Sequence, residues 1–212
     1  MSNEAPEDAE DFAGKYEDTN PISRRLVDGY FDAVGRLLDE IVPSLPAHAA
    51  AHEVGCAEGN STMRLRRMLP DEVDLSASEL VDEQVGAARL ANPGLEIIQA
   101  DATALPHADE AFDLVFILEV LEHLPQPEVA MGELRRVVRP GGWLVAGVPR
   151  EPLWRILNFA RGKYWSGLGN TPGHIQHWST DRFSSFIATE FGPTTRVERP
   201  IPWTIVSSQR LL

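Results

Sequence analysis

Apolar residues at Ile22, Leu26, Tyr30, Val34, Leu37, Leu38 and Ile41 recur every three or four positions, the period of an amphipathic helix. Asn20-Pro21 opens this helix as an N-cap followed by proline at the first helical position, and Pro43 and Pro46 end it. From Ala49 the pattern changes to short apolar runs separated by helical stretches, which predicts a parallel sheet with crossover helices on both faces. The runs place strands near 50–54, 73–78, 95–99, 112–118 and 143–148, with Arg139-Pro140-Gly141-Gly142 as the turn before the fifth. Beyond Pro149 the pattern is different: Trp154, Phe159, Tyr164, Trp165 and Trp178 crowd together, with Gly167, Gly169 and Gly173 among the last of them. This reads as an insertion able to act as a lid. Residues 179–191 read as one more helix, and 195–198 and 204–209 as the last two strands.

Composition narrows the class. With 212 residues, 43% of them hydrophobic, the chain suffices for one well-buried domain rather than two. Net charge is −13, and the first eighteen residues hold seven acids against one lysine, so 1–20 reads as a flexible acidic tail. A chain this acidic lacks the basic surface that phosphate binding needs, and no nucleic-acid partner is expected. A single cysteine, Cys56, allows no intramolecular disulfide and fits a reducing cytoplasm. Nothing resembles a secretory h-region or an eighteen-residue apolar span, so neither secretion nor a membrane span is expected.

Chemistry enters at Glu53-Val54-Gly55-Cys56-Ala57-Glu58-Gly59, where the first strand gives way to a helical stretch. A glycine-rich turn there lets the backbone approach a ligand that side chains at Gly55 or Gly59 would exclude. Twenty residues on, Glu79 ends the second strand, where an acid can hold a ribose diol. Hydrogen bonds to a charged acceptor contribute about 1.5–3 kcal/mol net, enough to select a nucleoside. The spacing is not the G-x-G-x-x-G of pyrophosphate-binding turns. Glu53 beside the turn would repel a pyrophosphate but suits a cationic amino-acid group, which points to S-adenosyl-L-methionine.

Four stretches between Ala49 and Val148 carry a family resemblance: HEVGCAEGN, SASELVDEQVGAAR, IIQADATALPHADEAFDLVFILEVLEHL and LRRVVRPGGWLVAGVP. Together they resemble the class I S-adenosylmethionine-dependent methyltransferases, in particular small single-domain bacterial members. The resemblance implies an α/β fold: a Rossmann-like, doubly wound seven-stranded sheet in three layers, mostly parallel with an antiparallel last strand. It divides 21–212 into a capping helix (21–46), a cofactor-binding core (49–148), the aromatic insertion (150–178) and a final helix with strands (179–212). It also implies cofactor contacts from Glu53, Gly55, Cys56, Ala57, Gly59, Glu79, Leu80, Asp101, Ala102, Leu118 and Glu119. Among these, Glu79 would hold the ribose, Leu80 would stack on adenine, and Asp101 with the Ala102 N–H would read the adenine edge. The family usually has glycine where this chain has Ala57, and the turn tolerates alanine there provided its φ stays below zero. No cation flanks Cys56 to lower its pKa, so it reads as packing rather than nucleophile.

Glu119, Glu122 and His123 are spaced to share one side of a helical turn. E-x-x-E-H resembles the divalent-metal site of some O-methyltransferases, although the same letters occur in relatives without metal. His174 and His177 lie beyond the aromatic insertion, spaced so that both rings could face one pocket. Tyr16, Asn20 and Arg24 either touch substrate or brace the first helix. The leading expectation is in-line methyl transfer to a small-molecule, saccharide or lipid acceptor, as O-methylation with His123, His174 or His177 as base. The rivals are a metal-assisted O-methyltransferase using Glu119, Glu122 and His123, and a non-catalytic regulator that binds S-adenosylmethionine. Sequence leaves monomer and homodimer open.

Overall fold

The computed structural model describes residues 21–160, 164 and 167–212. The acidic tail, with Tyr16 and the Asn20 cap, and Trp165 lie outside the described residues.

Helix α1 (Pro21–Ile41) buries Tyr30, Phe31, Val34, Leu37, Leu38 and Ile41, so its stripe is the expected one except at its start, where Ile22 is exposed. A 3-10 turn at Val42–Ser44, holding Pro43, ends it. Strand β1 (Ala50–Val54) leads through the glycine turn into α2 (Asn60–Met68). There follow β2 (Asp74–Glu79), α3 (Asp82–Ala91), β3 (Glu96–Gln99), β4 (Phe112–Leu118), α4 (Pro127–Val137) and β5 (Val138–Pro149). Within the insertion lies α5 (Leu153–Ala160), and α6 (Thr180–Glu190), β6 (Thr194–Glu198) and β7 (Trp203–Gln209) complete the domain.

The seven strands run in the order β3-β2-β1-β4-β5-β7-β6. All pairings are parallel except those of β7, which is antiparallel to both β5 and β6. This is the expected doubly wound sheet with an antiparallel last strand. Every residue of β4 is buried, as a strand covered on both faces must be. Leu114, Phe116 and Leu118 pack with α1, whereas Val115 and Ile117 pack with residues of α4 and α6. The order reverses between β1 and β4, and the crevice outside the carboxyl ends of two such strands is where open α/β sheets bind ligands.

One boundary differs from expectation. Residues 139–142, read as a turn, lie inside β5, whose register against β4 jumps from Phe112↔Val138 to Leu114↔Trp143. The extra residues form a bulge, with Gly141 at φ +79 donating its N–H to Arg210 O at 2.8 Å.

Candidate active site

At the end of β1 the chain is turned by two amides on one acceptor: Gly55 and Cys56 N–H both donate to Ser78 O, at 2.8 and 3.1 Å. Gly59 N–H then donates to Cys56 O at 2.8 Å and α2 begins. Gly55 and Gly59 have φ of +78 and +83. The close approach each permits is to protein: a Cβ on Gly55 would lie 2.4 Å from Val120 Cγ2, and one on Gly59 2.3 Å from Asn92 Nδ2. Ala57 departs from expectation. Its φ is +46, so the left-handed turn conformation is kept in spite of the alanine Cβ rather than avoided.

Glu79 is buried at the tip of β2 and organises this turn. Its Oε2 accepts from Ala57 N–H at 2.9 Å, and its Oε1 from Leu80 and Val81 N–H at 2.7 and 3.1 Å. A carboxylate oxygen has two lone pairs, so Oε2 retains capacity for a ligand hydroxyl. Glu53 is fully buried, and Thr62 Oγ1 donates to its Oε2. Its Oε1 accepts no hydrogen bond among the described residues. Burial pushes its pKa up to about 7, opposed by the Ser61 and Thr62 hydroxyls and reinforced by Glu79. Such a carboxylate suits a cation; an ammonium brought beside it would lower the pKa again.

The other residues expected to contact the cofactor differ in exposure. Leu80 is more than half exposed, as an adenine platform requires. Asp101 Oδ1 accepts from Thr103 N–H and Oγ1 at 2.8 and 2.7 Å, bonds that hold its pKa below the ordinary carboxylate range. That is the turn-capping arrangement, and it leaves Oδ2 for a ligand. Ala102 and Leu118 are buried. Cys56 is buried too, and burial, with Glu53 and Glu79 nearby, pushes its thiol up to about 12, which makes it inert.

At the tip of β4, Glu119 adopts φ +60 and donates its N–H to Gly147 O at 2.9 Å. Leu121–His123 then forms a 3-10 turn. Residues 173–176 fold onto this turn: Ile175 and Gln176 N–H donate to Glu122 O at 2.9 and 3.0 Å, and His123 Nδ1 bonds Gly173 O at 3.1 Å. His123 and His174 meet edge to face at 4.8 Å, and His174 is buried against Trp154. One ligand atom from each of Glu122, His123 and His174 lies within 4.8 Å of the others.

Two expectations are corrected here. His174 and His177 do not face one pocket: His174 turns inward, while His177 is exposed with Nε2 bonded to Asn170 Oδ1 at 2.7 Å. Glu119 stands outside the cluster because its left-handed backbone sets it apart from the 3-10 turn that carries Glu122 and His123. Arg24 is exposed near the start of α1. Sequence reasoning missed Thr62 as the Glu53 partner and Trp154 as the platform under His174; an aromatic five residues after the end of β5 was the available signal for the latter.

A sheet that reverses between β1 and β4, with two buried carboxylates, Glu53 and Glu79, at the strand tips beside that point, defines a class of ligand-binding α/β domain. Residues 52–146 match the family model described as a methyltransferase domain. The chain is 35% identical over 143 residues to the demethylmenaquinone methyltransferase of Renibacterium salmoninarum, covering 68% of this chain and 57% of that one. It is 33% identical over 148 residues to the trans-aconitate 2-methyltransferase of an Azoarcus species, covering 66% and 56%. It thus spans little more than half the length of these relatives. Among solved structures, the magnesium protoporphyrin IX methyltransferase of Synechocystis, with bound S-adenosylhomocysteine, superposes with a TM-score of 0.67 over 93% of this chain and 92% of that one, at 16% identity. The chain carries the domain of a class I S-adenosylmethionine-dependent methyltransferase, whose cofactor is S-adenosylmethionine. No helix among the described residues is long and apolar enough to cross a membrane.

Proposed function

We propose that the protein methylates a hydroxyl of a small-molecule, saccharide or lipid acceptor. The observation that carries this is the pair Glu53 and Glu79, the first fully buried beside the turn with Oε1 accepting no hydrogen bond among the described residues, the second bracing the turn through Ala57 N–H. When bound, S-adenosylmethionine supplies a methyl group activated by its sulfonium. Glu53 holds the ammonium, Glu79 the ribose, and Leu80 covers the base. The tip of β4 orients the acceptor, and His123, held through Nδ1 by Gly173 O, takes the acceptor's proton. His174 is the positioning residue, setting the angle of the His123 ring. The relatives named above act on demethylmenaquinone and trans-aconitate, which favours a small acceptor.

Calorimetric titration with S-adenosylhomocysteine tests the reading. Wild type is expected to bind saturably, and Glu79→Gln to bind at least tenfold more weakly, about 1.4 kcal/mol. No binding by a folded wild type would sink it.

The Glu122, His123 and His174 cluster favours a second reading, metal-assisted transfer. Two imidazoles and one carboxylate suit a transition ion better than Mg²⁺, which prefers oxygen ligands. A metal there would lower the pKa of an acceptor hydroxyl. On this reading, chelation abolishes turnover and Mn²⁺ or Zn²⁺ restores it, with a matching loss in His174→Ala; chelator-insensitive turnover decides for the metal-free enzyme.

A further inference from the structure

Beyond the carboxyl end of β5 lies a cleft of about 540 Å³ between Glu151, α5, Leu168 and His177. Its volume is that of a site for a drug-sized molecule. Three large apolar side chains that line it are exposed: Ile156 at 57%, Phe159 at 44% and Leu168 at 67%. They converge on one cleft instead of being scattered singly, which marks a binding surface. The walls are stiff, because Asn158 Nδ2 donates to Gly169 O and Thr171 Oγ1, and Trp154 Nε1 donates to Thr171 Oγ1 at 2.8 Å. Residues 169–171 of the insertion are therefore stapled to α5.

One end of the cleft is polar. Glu151 is partly buried, and its Oε2 accepts no hydrogen bond among the described residues. Burial pushes its pKa up, with the Arg155 N–H and the charges of His177, Arg155 and His174 pulling the other way. A buried acceptor without a donor is costly, and a ligand donor would offset that cost. The position is also right for an acceptor: β5 pairs with β4, which leads into the 3-10 turn holding His123, and Glu151 N–H donates to Trp178 O, four residues after His174.

We propose that this cleft is the subsite for the methyl acceptor, and that the acceptor is amphipathic: an apolar ring or chain bearing a hydrogen-bond donor that Glu151 Oε2 receives. This rests on the methyltransferase reading above. A saccharide needs polar partners along its whole length, whereas the polar side chains here are gathered at Glu151, Arg155 and His177.

N-phenyl-1-naphthylamine, a neutral apolar fluorophore with one N–H donor, probes the cleft in the full chain saturated with S-adenosylhomocysteine. Saturable enhancement is expected, weakened at least tenfold by Ile156→Asp and by Glu151→Ala, and retained by Glu151→Gln, which keeps an acceptor oxygen. Val129→Asp, at an exposed apolar site on α4, is the control and should leave it unchanged. 1-Naphthol should displace the probe and glucose should not. S-adenosylhomocysteine affinity should be the same in every variant. A silent probe with intact S-adenosylhomocysteine binding overturns the subsite alone. Equal losses in Ile156→Asp and Val129→Asp, displacement by glucose, or a dimer that Ile156→Asp dissolves also overturns it. Failure of the wild type to bind S-adenosylhomocysteine overturns the acceptor assignment through the reading beneath it.

Discussion

Gly59→Ala is expected to lower stability by about 2–5 kcal/mol and to abolish cofactor binding. Two costs add. Alanine at φ +83 occupies the left-handed region, at roughly 1–2 kcal/mol. Its Cβ would also lie 2.3 Å from Asn92 Nδ2 and 3.0 Å from Ala88 Cα, and forcing a methyl into such a space costs about 1–3 kcal/mol. Asn92 cannot simply swing away, because Nδ2 donates to Gly59 O at 2.9 Å and to Ala88 O at 3.1 Å. Ala57→Gly, in the same turn, should act in the opposite direction. At φ +46, removing the Cβ relieves left-handed strain, and the extra freedom of glycine in the unfolded chain offsets part of the gain, leaving about 0.5–1 kcal/mol of stabilisation. Urea unfolding at constant m-value reads both. Ala57→Gly less stable than wild type would show that the turn does not hold Ala57 in the left-handed region.

The contrast between these two positions shows what the sequence could and could not convey. The strands were legible to within about a residue at most ends, because each apolar run is flanked by polar or turn residues. The adjacency of Glu79 and the turn followed from parallel pairing: Glu53 opposes Ala77 and Val54 opposes Ser78, so the two strand tips coincide. The backbone sign at Ala57 was not legible, since it follows from Glu79 fixing the Ala57 N–H across 22 residues. Nor was the meeting of His123 with His174. It depends on residues 173–176 folding back onto the 3-10 turn, a contact with no local periodicity. Within β5 the Pro-Gly-Gly signal was read as a turn because nothing local distinguishes a turn from a bulge; the Gly141 bond to Arg210 at the far end of the chain decides it.

His52 sits in the middle of β1, one position before Glu53, and its pattern of partners also depends on register. The ring is fully buried, with Nδ1 2.8 Å from Ser76 Oγ and Nε2 3.0 Å from Ser78 Oγ, two hydroxyls that pairing with β2 brings alongside. Ser76 Oγ donates to Ala51 O, so it accepts from Nδ1–H while Ser78 donates to Nε2, which satisfies the neutral ring. Phe112 stacks on one face at 4.7 Å and His107 meets it edge-on at 4.5 Å. Burial lowers the His52 pKa to about 3, with His107 adding to the effect. His107 is itself lowered by burial, with Glu96 opposing and Arg136 reinforcing. Since the unfolded chain binds this proton near pH 6.5 and the folded one near 3, the contribution of His52 is complete above pH 6.5. It is lost on acidification at about 1.4 kcal/mol per pH unit. Glu53 works the other way. With its folded pKa raised to about 7, its contribution is complete below the ordinary carboxylate value and is lost as pH rises through 7. Neighbouring residues on one strand therefore cancel much of each other's pH dependence, and wild-type stability should be nearly flat between pH 7 and 5. His52→Gln keeps a side chain able to bond both serines but removes the titration. The stability gap between wild type and this variant should shrink by about 2 kcal/mol from pH 7 to pH 5 in urea unfolding, because Glu53 is common to both and drops out. A gap that stays constant over that range would mean that His52 does not lose its proton affinity on folding.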